Sequence, residues 1–529
     1  MDSLNRCFGR SFSEQGEKKA ISFYRGATLE TEVSFRDLDE DSNRIANSFL
    51  GMGIAPGDRV ILYLDKSLIF IAAYLALLKI GAIAVPLNPG FKDSEVDYLL
   101  QDSGAALVLC GTSQEATVKA VDPRARTLAF DTERPYQEMD LFQTASEKDP
   151  GTALAPEDPA LIIYTSGTTG MPKGAVLTHG NLVHDARNII DIWEINGTDV
   201  LCHALPLFHV HGLCFALHTA FLAGSRVIMP DRFSAGRVVD HLTGKEEGRA
   251  CSVFMAVPQM YVKMMDWIGE EKLDFEHVRL WTSGSAPLPV KDFKRIRHTF
   301  GKEPVEREGM SETGMNFSNP YRGVKKPGSI GLPLPRLQAR VVDPETFRDV
   351  DQGQEGELWL KGPSITPGYW RKPRETAEAF VDGWFRSGDL GKVDGDGYFY
   401  ITDRLKHIII SGGENISPME IQGIINRLEG VTESAVVGVP DEQWGEKVVA
   451  AVVVSEGARL SGDEIRAYCR QHLHDWKCPK DVLFVPELPR NTMGKVLSEE
   501  IRGWFLHGDQ EKRLVEFRGR IQPSPNRIR

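Results

Sequence analysis

Residues 164–182 read Tyr-Thr-Ser-Gly-Thr-Thr-Gly-Met-Pro-Lys-Gly-Ala-Val-Leu-Thr-His-Gly-Asn-Leu. They follow residues 160–163, a short apolar run of the kind that forms a buried strand. Hydroxyl side chains and glycines then alternate from Thr165 to Gly170, and Lys173 follows. Because glycine tolerates positive φ angles, such a loop can turn its backbone N–H groups and hydroxyls toward one anion. The stretch therefore predicts a strand followed by a flexible loop that binds a polyphosphate.

The loop does not have Walker spacing, because Met171 and Pro172 separate Gly170 from Lys173. Taken alone, a Ser/Thr/Gly loop of this length is more often a solvated linker. Residues 164–174 as a whole, however, resemble the phosphate-loop signature of the adenylate-forming superfamily, which contains acyl-CoA synthetases, luciferases and the adenylation domains of peptide synthetases. The resemblance implies that ATP is a substrate and that its phosphates contact Thr165, Ser166, Gly167, Thr168, Thr169, Gly170 and Lys173.

Composition limits the class of protein. With 529 residues, of which 41% are hydrophobic and 26% charged, the chain exceeds one compact core, and two or three α/β domains are expected. The net charge of -12 gives no support to nucleic-acid binding. The seven cysteines are odd in number and lack C-x-x-C spacing, which is typical of reduced thiols in a cytoplasmic protein. The apolar stretch 67–87 is interrupted by Lys79, Gly81 and Pro86, so no membrane span is expected.

Strand-like and helix-like segments alternate before the loop, which favours a mostly parallel sheet covered by helices. Apolar periodicity predicts helices at 37–51, 67–80, 93–101 and 179–193, and strands at 59–64, 82–86 and 106–109. Beyond the charged connector the pattern predicts a helix at 419–428, strands at 434–439 and 448–455, a helix at 462–473 and a strand at 481–485. With the resemblance, this predicts an α/β fold: a large N-terminal domain of layered mixed sheets with helices (1–402), a small mobile α+β C-terminal domain (403–506) and a disordered tail (507–529).

Two further segments correspond to superfamily motifs. Residues 205–212, Leu-Pro-Leu-Phe-His-Val-His-Gly, resemble the segment that lines the acyl pocket, which makes His209 a pocket-wall candidate and leaves His211 open. Two such histidines could also bind a metal, but without H-E-x-x-H spacing they are more often packed core residues. Residues 283–287 resemble the small-residue turn that passes under adenine, which implies nucleotide contacts for Gly284, Ser285 and Ala286.

Residues 306–314, Glu-Arg-Glu-Gly-Met-Ser-Glu-Thr-Gly, match the superfamily's Tyr-Gly-Met-Thr-Glu segment with two departures. Ser311 replaces threonine and keeps a hydroxyl, whereas Glu308 stands where an aromatic residue normally stacks on adenine. The Glu308 carboxylate either accepts a hydrogen bond from the adenine amino group or points away. Glu312 aligns with the acid that coordinates magnesium, a cation that prefers oxygen ligands. The nucleotide-binding segment also includes Gly309, Met310 and Thr313.

The last motifs surround the connector between the domains. Asp389 corresponds to the carboxylate that binds both ribose hydroxyls, although an isolated Gly-Asp is usually a turn. Arg404 and Lys406 lie in the connector, and Lys406 aligns with the hinge residue of the superfamily. Lys495 matches the C-terminal catalytic lysine. The pantetheine tunnel of CoA corresponds to Gly412, Gly413 and Glu414.

Over residues 30–503 the chain resembles AMP-forming acid–CoA ligases, nearest to malonyl-CoA synthetases and related short- to medium-chain enzymes. The resemblance implies that a carboxylate attacks the α-phosphate of ATP to give an acyl-adenylate and pyrophosphate, and that the CoA thiol then displaces AMP. ATP, Mg²⁺ and coenzyme A are the implied cofactors, and a homodimer is left open. The implied catalytic residues are Lys495, Thr313, Glu312, His209 and Arg404.

The identity of the acid depends on Lys263. Malonate enzymes carry an arginine after Val-Pro-x-x-Tyr-x, and here Lys263 stands in that place. Lysine cannot form the bidentate pair that arginine makes with a carboxylate, and a solvent-facing lysine is equally compatible with the sequence. We therefore expect a monocarboxylic acid of short to medium length, aliphatic or aromatic. The alternatives are malonate or another dicarboxylate, an adenylation enzyme that loads a carrier protein, and a catalytically silent nucleotide-binding protein supported by Glu308 alone.

Overall fold

The computed structural model describes residues 2–136, 145–165, 171–244, 250–411, 414–455, 457–491 and 494–506. The chain packs as two compact units. The first unit comprises Met1–Ala339 and Leu360–Arg386, and the second comprises Arg340–Trp359 and Ser387–Arg529.

The α-helices, in chain order, are α1 (Leu4–Gln15), α2 (Phe35–Gly51), α3 (Leu68–Ile80), α4 (Asp93–Ser103), α5 (Thr112–Val121), α6 (His179–Trp193), α7 (Thr219–Ala223), α8 (Ala235–Leu242), α9 (Pro258–Ile268), α10 (Val290–Phe300), α11 (Pro373–Ala379), α12 (Pro418–Ile425), α13 (Gly462–His472) and α14 (Ser498–Leu506). A π-helical segment, His211–His218, leads into α7.

The strands are β1 (Lys19–Arg25), β2 (Thr28–Ser34), β3 (Arg59–Tyr63), β4 (Ile83–Pro86), β5 (Leu107–Gly111), β6 (Thr127–Phe130), β7 (Pro159–Thr165), β8 (Lys173–Thr178), β9 (Val200–Cys202), β10 (Arg226–Pro230), β11 (Val253–Ala256), β12 (Leu280–Ser283), β13 (Val305–Met310), β14 (Gly314–Ser318), β15 (Leu332–Pro333), β16 (Gln338–Val342), β17 (Gly356–Lys361), β18 (Phe380–Val381), β19 (Trp384–Val393), β20 (Phe399–Arg404), β21 (Ile409–Ser411), β22 (Glu414–Ile416), β23 (Val431–Asp441), β24 (Gly445–Val454) and β25 (Asp481–Phe484).

Two mixed sheets organise the first unit. One sheet has the strand order β15-β14-β13-β12-β11-β9-β10-β1-β2, and the other has the order β6-β5-β3-β4-β7-β8. In the sheet that contains β3, this strand pairs in parallel with β4 and β5, whereas β7 and β8 form an antiparallel hairpin. The predicted domain of layered mixed sheets with helices is therefore confirmed.

Helix α3 explains the apolar stretch that begins at residue 67. Every residue of α3 is buried, and the side chain of Ser67 accepts a hydrogen bond from Phe70 N at its start. A helix that is apolar on every side belongs in a core or a membrane, and its 13 residues fall short of the roughly 20 that a span needs. Lys79 Nζ forms an ion pair with Asp39 Oδ1 at 2.7 Å and donates a hydrogen bond to Asn43 Oδ1 at 2.6 Å, and both partners lie on α2. In the described part of the chain, no helix combines the length and the apolar character that crossing a membrane requires.

The second unit contains a small sheet with both faces covered. Its strand order is β22-β21-β24-β23, with β25 on β24. Along β24 successive side chains alternate between the faces: Val448 and Ala450 pack in a core with residues of α12 and α13, whereas Val449 and Ala451 pack in a core with residues of α14. This is the α+β architecture expected for the C-terminal part of the chain.

The packing divides the chain differently from the predicted boundary. A cut between residues 402 and 403 falls inside β20, and Asp389 on β19 pairs with Arg404 on β20. Residues 340–359 and 387–402 therefore lie in the second unit. The predicted tail, 507–529, lies outside the described residues.

Most of the predicted helices coincide with observed ones. The helices expected at 37–51, 67–80, 93–101 and 179–193 correspond to α2, α3, α4 and α6 to within two residues at each end. Apolar periodicity gave no expectation for α1, for the β1–β2 hairpin or for the π-helical segment.

We expect Gly212→Ala to destabilise the first unit. Gly212 lies in the π-helical segment, where an added Cβ would stand 2.0 Å from Pro206 O, a backbone atom that cannot move away freely. Overpacking of this kind should lower the free energy of unfolding by about 1–3 kcal/mol, as measured by chemical denaturation. The control is Gly9→Ala in α1, where no atom lies within 4 Å of the added Cβ and stability should be unchanged or rise by up to about 1 kcal/mol. Equal effects of the two substitutions would contradict the expectation.

Candidate functional site

The hairpin β7–β8 carries the two ends of the predicted phosphate loop. Thr165, the last residue of β7, pairs with Lys173, the first residue of β8. The Lys173 Nζ atom lies 5.4 Å from the centroid of the Tyr369 ring, within the range of a cation–π contact. The central residues of the loop, Ser166, Gly167, Thr168, Thr169 and Gly170, lie outside the described residues.

Glu312 lies beside this hairpin with its carboxylate held by two hydroxyls. Its Oε1 atom accepts hydrogen bonds from Thr165 Oγ1 at 3.3 Å and from Tyr369 Oη at 3.1 Å. Thr366 N donates to Glu312 O at 2.7 Å, which fixes the backbone of the same residue. Glu312 is only 7% exposed. The structure therefore brings together Thr165, Lys173 and Glu312, three of the predicted site residues.

The donors around Glu312 suit magnesium. They are the carboxylate of Glu312 and two hydroxyl oxygens, and a hard cation prefers oxygen ligands. Within the described ranges, no group of three His, Cys, Asp or Glu residues could hold a metal by itself. Magnesium usually keeps several waters and is held by one or two carboxylates together with substrate phosphates. A single protein carboxylate in contact with Thr165, at one end of the predicted phosphate loop, fits that pattern.

The turn from β13 to β14 holds the other residues of the Glu312 motif. Asn316 Nδ2 donates to Thr313 Oγ1 at 2.7 Å and to Glu308 Oε2 at 3.1 Å. Thr313 is fully buried, Ser311 is 8% exposed and Met310 is half-buried. At Gly309 an added Cβ would lie 2.7 Å from Gly314 O, so the two strands approach too closely there for a side chain. The Glu308 carboxylate is thus fixed by Asn316.

A cluster of buried residues forms around the motifs at 205–212 and 283–287. His211 Nδ1 lies 3.1 Å from Ser285 Oγ, and His211 N lies 3.4 Å from His209 Nδ1. Ser285 has a φ of +69°, a left-handed conformation that few residues other than glycine adopt. A Cβ on Gly284 would stand 2.6 Å from Arg307 Cζ, so only glycine leaves room for that guanidinium. Ala286, the next residue of the turn, is half-buried.

Arg307 is the charged member of this cluster, and its guanidinium has no hydrogen-bond partner. The residue is 2% exposed, and its Nε, Nη1 and Nη2 atoms are all buried without a partner. Its Cζ lies 5.1 Å from the centroid of the Phe215 ring. Burial lowers the pKa of Arg307 to about 10, while the charges of Glu308 and Asp185 oppose that shift. The guanidinium therefore stays charged at neutral pH.

The two histidines are neutral. Burial, together with the charge of Arg307, lowers the pKa of His209 to about 4. The same two causes, with smaller effects from His209 and His203, hold the pKa of His211 well below its usual value. Neither imidazole adds positive charge to the cluster, so Arg307 supplies its cation.

In the second unit, the predicted cations gather at Asp389. Arg404 Nε lies 2.8 Å from Asp389 Oδ1, and Asp389 is 4% exposed. Burial raises the pKa of Asp389 against the charges of Arg404, Lys495 and Lys406. Burial and the charges of Arg404 and Lys406 lower the pKa of Lys495 to about 8. Asp389, Arg404, Lys406 and Lys495, which were predicted from three motifs, therefore share one electrostatic environment.

The predicted tunnel residues are described only in part. Glu414 begins β22 and is exposed, whereas Gly412 and Gly413 lie outside the described residues. Lys263, the residue on which the predicted acid depends, lies on α9 and is exposed.

Two models of known protein families match this chain. The AMP-binding enzyme model matches residues 8–370, and the AMP-binding enzyme C-terminal domain matches residues 420–495. The chain belongs to the AMP-binding enzyme family. A feruloyl-CoA synthase of Amycolatopsis sp is 36% identical over 477 residues, which cover 90% of this chain and 94% of the relative. The mitochondrial malonate–CoA ligase ACSF3 of Bos taurus is 34% identical over 508 residues, which cover 88% of this chain and 86% of the relative.

Solved structures of AMP-binding enzymes agree with the fold. The crystal structure of ATP-bound MatB from Rhodopseudomonas palustris matches with a TM-score of 0.87 at 36% identity, covering 95% of this chain and 99% of MatB. The predicted superfamily, fold class and enzyme class, an acid–CoA ligase, are confirmed. The CoA ligases of this family use ATP and CoA as substrates together with a carboxylic acid.

Two residues of the site, Tyr369 and Arg307, were not predicted from the sequence. Tyr369 belongs to the run Pro-Gly-Tyr-Trp at 367–370, and aromatic residues in such a loop are a signal for a binding surface. Arg307 lies between Glu306 and Glu308 in β13, where the sequence looks like an exposed charged strand. Only its burial in the folded chain distinguishes it from a surface arginine.

We expect Tyr369→Phe to weaken the use of ATP by this AMP-binding enzyme. The substitution removes the hydroxyl that donates to Glu312 and keeps the ring near Lys173. Loss of a hydrogen bond to a charged group corresponds to about 1.5–3 kcal/mol, so kcat/KM for ATP should fall at least about tenfold in steady-state assays. Tyr400→Phe, which removes a hydroxyl donor to Asp394 in the second unit, is the matched control. If both variants behave alike, Tyr369 has no specific role.

Proposed function

We propose that this AMP-binding enzyme activates a carboxylic acid that carries a second acidic group, and transfers its acyl group to CoA. In the first step a carboxylate oxygen attacks the α-phosphorus of ATP and pyrophosphate leaves. In the second step the CoA sulfur attacks the acyl carbon and AMP leaves. Both steps depend mainly on positioning and on neutralisation of charge. The observation that carries the choice of acid is the unpartnered guanidinium of Arg307.

Residues of the first unit hold ATP in the first step. Residues 165–170 and Lys173 bind the β- and γ-phosphates, and Ser311 and Thr313 approach the α-phosphate. The turn 284–286 and residues 308–310 border the adenine, where Glu308 replaces the stacking ring. The hydrogen bond from Asn316 to Glu308 supports a fixed carboxylate at that place, suited to accept a hydrogen bond from the adenine amino group.

Glu312 is the proposed protein ligand of magnesium. Its buried carboxylate, held by Thr165 and Tyr369, supports the assignment. When bound, magnesium neutralises phosphate charge. Tyr369 keeps the Glu312 carboxylate oriented, because its hydroxyl donates to Oε1.

Residues of the second unit complete both half-reactions. Asp389 accepts hydrogen bonds from the ribose hydroxyls, and Arg404 holds that carboxylate. Lys495 offsets the charge that builds up as the carboxylate approaches the α-phosphate, an electrostatic effect that can amount to several kcal/mol in a closed site. Two orientations of the C-terminal domain about Lys406 serve the two steps, and residues 412–414 line the CoA tunnel in the second. A few connector residues are enough for such a motion.

The proposed class of acid is inferred from the environments of Lys263 and Arg307. The expectation of a monocarboxylic acid rested on Lys263, and its exposure on α9 favours the solvent-facing interpretation of that residue. Arg307, in contrast, presents three buried nitrogen atoms without acceptors. Its charge lowers the pKa of His209, a residue of the acyl-pocket motif. Burying a charge without a hydrogen-bonded partner is unfavourable, and a carboxylate or sulfonate on the substrate would supply paired acceptors. This supports the dicarboxylate alternative over the monocarboxylate.

A panel of acids tests this proposal. Pyrophosphate release and CoA thioester formation should be faster with malonate or sulfoacetate than with butyrate or valerate. In Arg307→Met, kcat/KM for the dianionic acids should fall about 100-fold or more, because truncating one partner of a buried charge pair corresponds to roughly 3–5 kcal/mol. The same variant should change kcat/KM for the monocarboxylates less than about threefold. The difference between the two effects measures the loss of the charge pair alone.

Lys263→Met is the control for the acid panel, because this exposed residue should leave the preference unchanged. A monocarboxylate that outperforms every dianionic acid would restore the first expectation. Pyrophosphate release without CoA thioester formation would favour an enzyme that loads a carrier protein. Failure to release pyrophosphate with every acid would favour the silent nucleotide-binding protein.

Lys495 allows the two steps to be separated. We expect Lys495→Ala to lose adenylation by orders of magnitude while still converting supplied acyl-adenylate and CoA to thioester. Because the pKa of Lys495 is lowered to about 8, its cation is present below that pH and is lost as the pH rises. The kcat/KM for adenylation should therefore fall above pH 8, whereas Lys495→Arg should extend the plateau to higher pH.

The reverse pattern is expected for Lys406→Pro, since proline fixes φ and obstructs a backbone rotation. This variant should retain adenylation and lose thioester formation in separate half-reaction assays. Equal loss of both half-reactions in Lys495→Ala would overturn the two-orientation mechanism.

Cytoplasmic location also remains a prediction, and the oligomeric state stays open. The cysteines of the chain are all free and buried, which supports a reducing compartment. Fractionation of the source cells would test the location, and sedimentation of the purified enzyme would determine the oligomeric state.

A further inference from the structure

A network around Asp102 of α4 joins both ends of the phosphate loop. Tyr164, next to the last residue of β7, donates from its hydroxyl to Asp102 Oδ2 at 2.8 Å. Tyr98, one turn before Asp102 on α4, donates to Pro172 O at 2.8 Å and has its hydroxyl 3.3 Å from Asp102 Oδ1. Tyr164 precedes the loop and Pro172 closes it, so one carboxylate reaches both of its ends. We call this group, Tyr98, Asp102, Tyr164, Pro172 and Lys372, the loop clamp.

The charge of Asp102 is balanced from another part of the chain. Lys372 Nζ lies 2.8 Å from Asp102 Oδ1, and the Asp102 side chain is only 8% exposed. Lys372 Nζ also lies 6.0 Å from the centroid of the Tyr98 ring. Solvent therefore screens the charge of Asp102 less than it screens a surface carboxylate.

The tyrosines are reliable donors in this network. Burial, followed by the carboxylate of Asp102, raises the pKa of both Tyr98 and Tyr164, so neither phenol ionises near neutral pH. Gly174, opposite Tyr164 in the hairpin, leaves the space in which that ring lies, because a Cβ there would stand 3.3 Å from Tyr164 Cζ. The proposed roles in phosphate binding, acyl binding and CoA binding account for none of the side chains of the clamp.

We propose that Asp102 is a positioning residue for the phosphate loop, acting through Tyr164 at one end and Tyr98 at the other. The inference rests on the proposed function, in which this loop binds the β- and γ-phosphates of ATP. Holding the two ends of a binding loop in advance reduces the conformational entropy that is lost when a ligand binds. The clamp therefore favours ATP binding without touching ATP.

The proposal predicts an effect confined to one half-reaction. Pyrophosphate has left before CoA reacts, so the second step does not need the β- and γ-phosphate contacts. Weakening the clamp should raise the KM for ATP and leave the KM for the acid unchanged. It should also leave the conversion of supplied acyl-adenylate and CoA to thioester unchanged. General damage to the fold would instead lower both half-reactions together.

The main test is Asp102→Asn, which keeps the shape of the side chain and removes its charge. We expect the KM for ATP to rise about tenfold, the scale of one lost charge-assisted hydrogen bond. Tyr98→Phe and Tyr164→Phe, which each remove one hydroxyl, should raise it by smaller factors. In the Asp102→Ala background, Tyr164→Phe should have no further effect, because its acceptor is already absent. The two tyrosine variants also serve if the aspartate variants fold poorly.

Asp97→Asn is the matched control. Asp97 lies on the same helix, but its carboxylate accepts from Gln101 and does not belong to the clamp. This variant should keep the KM for ATP of the wild type. A wild-type KM for ATP in Asp102→Asn would overturn the proposal. So would an equal loss in both half-reactions, which would mark Asp102 as a residue of the fold alone.

Direct binding separates this proposal from the proposed function. Equilibrium dialysis with labelled ATP, run on the wild-type enzyme and on Asp102→Asn, measures affinity without turnover. Wild-type enzyme that forms no acyl-adenylate with any acid would contradict the proposed function. A weaker affinity of Asp102→Asn for ATP would support the clamp even then, and an unchanged affinity would overturn it.

Discussion

Strand β8 is hydrogen-bonded along both of its edges, and the site of the first unit depends on this pairing. On one edge β7 places Thr165 opposite Lys173. On the other edge Trp370 N donates to Gly174 O at 2.7 Å, and Tyr369 is bridged to the next residue of the strand. Because buried backbone groups must find partners, these bonds fix the segment around residue 370 against the hairpin. Residues almost 200 positions apart in sequence therefore meet at one strand.

Local patterns in the sequence were enough for much of the first unit. The helix expected at 179–193 is α6 with the same limits, since Thr178 and Asn181 form a capping box at its start. The loop, Glu312 and Asp389 could be recognised because each belongs to a motif with a fixed order along the chain. Pairing between segments that are far apart in the sequence could not be predicted from such local patterns. The segment 368–370 pairs with β8, which brings Tyr369 to Glu312 and Lys372 to Asp102. The residues next to Tyr369 and Lys372 in the sequence do not indicate these partners.

Burial explains why the acid was harder to predict than the reaction. Lys263 lies between apolar neighbours and Arg307 lies between two glutamates, so the residues beside them suggest a buried lysine and an exposed arginine. In the folded chain one faces solvent and the other lies against Phe215 with its nitrogen atoms enclosed. The environment of a charge is set by the whole sheet around β13, not by the residues beside it. The role proposed for Arg307 therefore becomes visible only when its solvent exposure is known.

Helix α3 also determines how this protein behaves once it is unfolded. Its sequence, residues 68–80, is almost continuously apolar and is shielded from water only by the rest of the first unit. Heating exposes this run on many chains at once, and exposed apolar segments associate faster than a large domain can refold. We therefore expect thermal denaturation of the enzyme to be irreversible, with an apparent melting temperature that depends on the heating rate. Resistance to heat in this chain is accordingly a matter of unfolding rate, governed by how long the core around α3 stays closed.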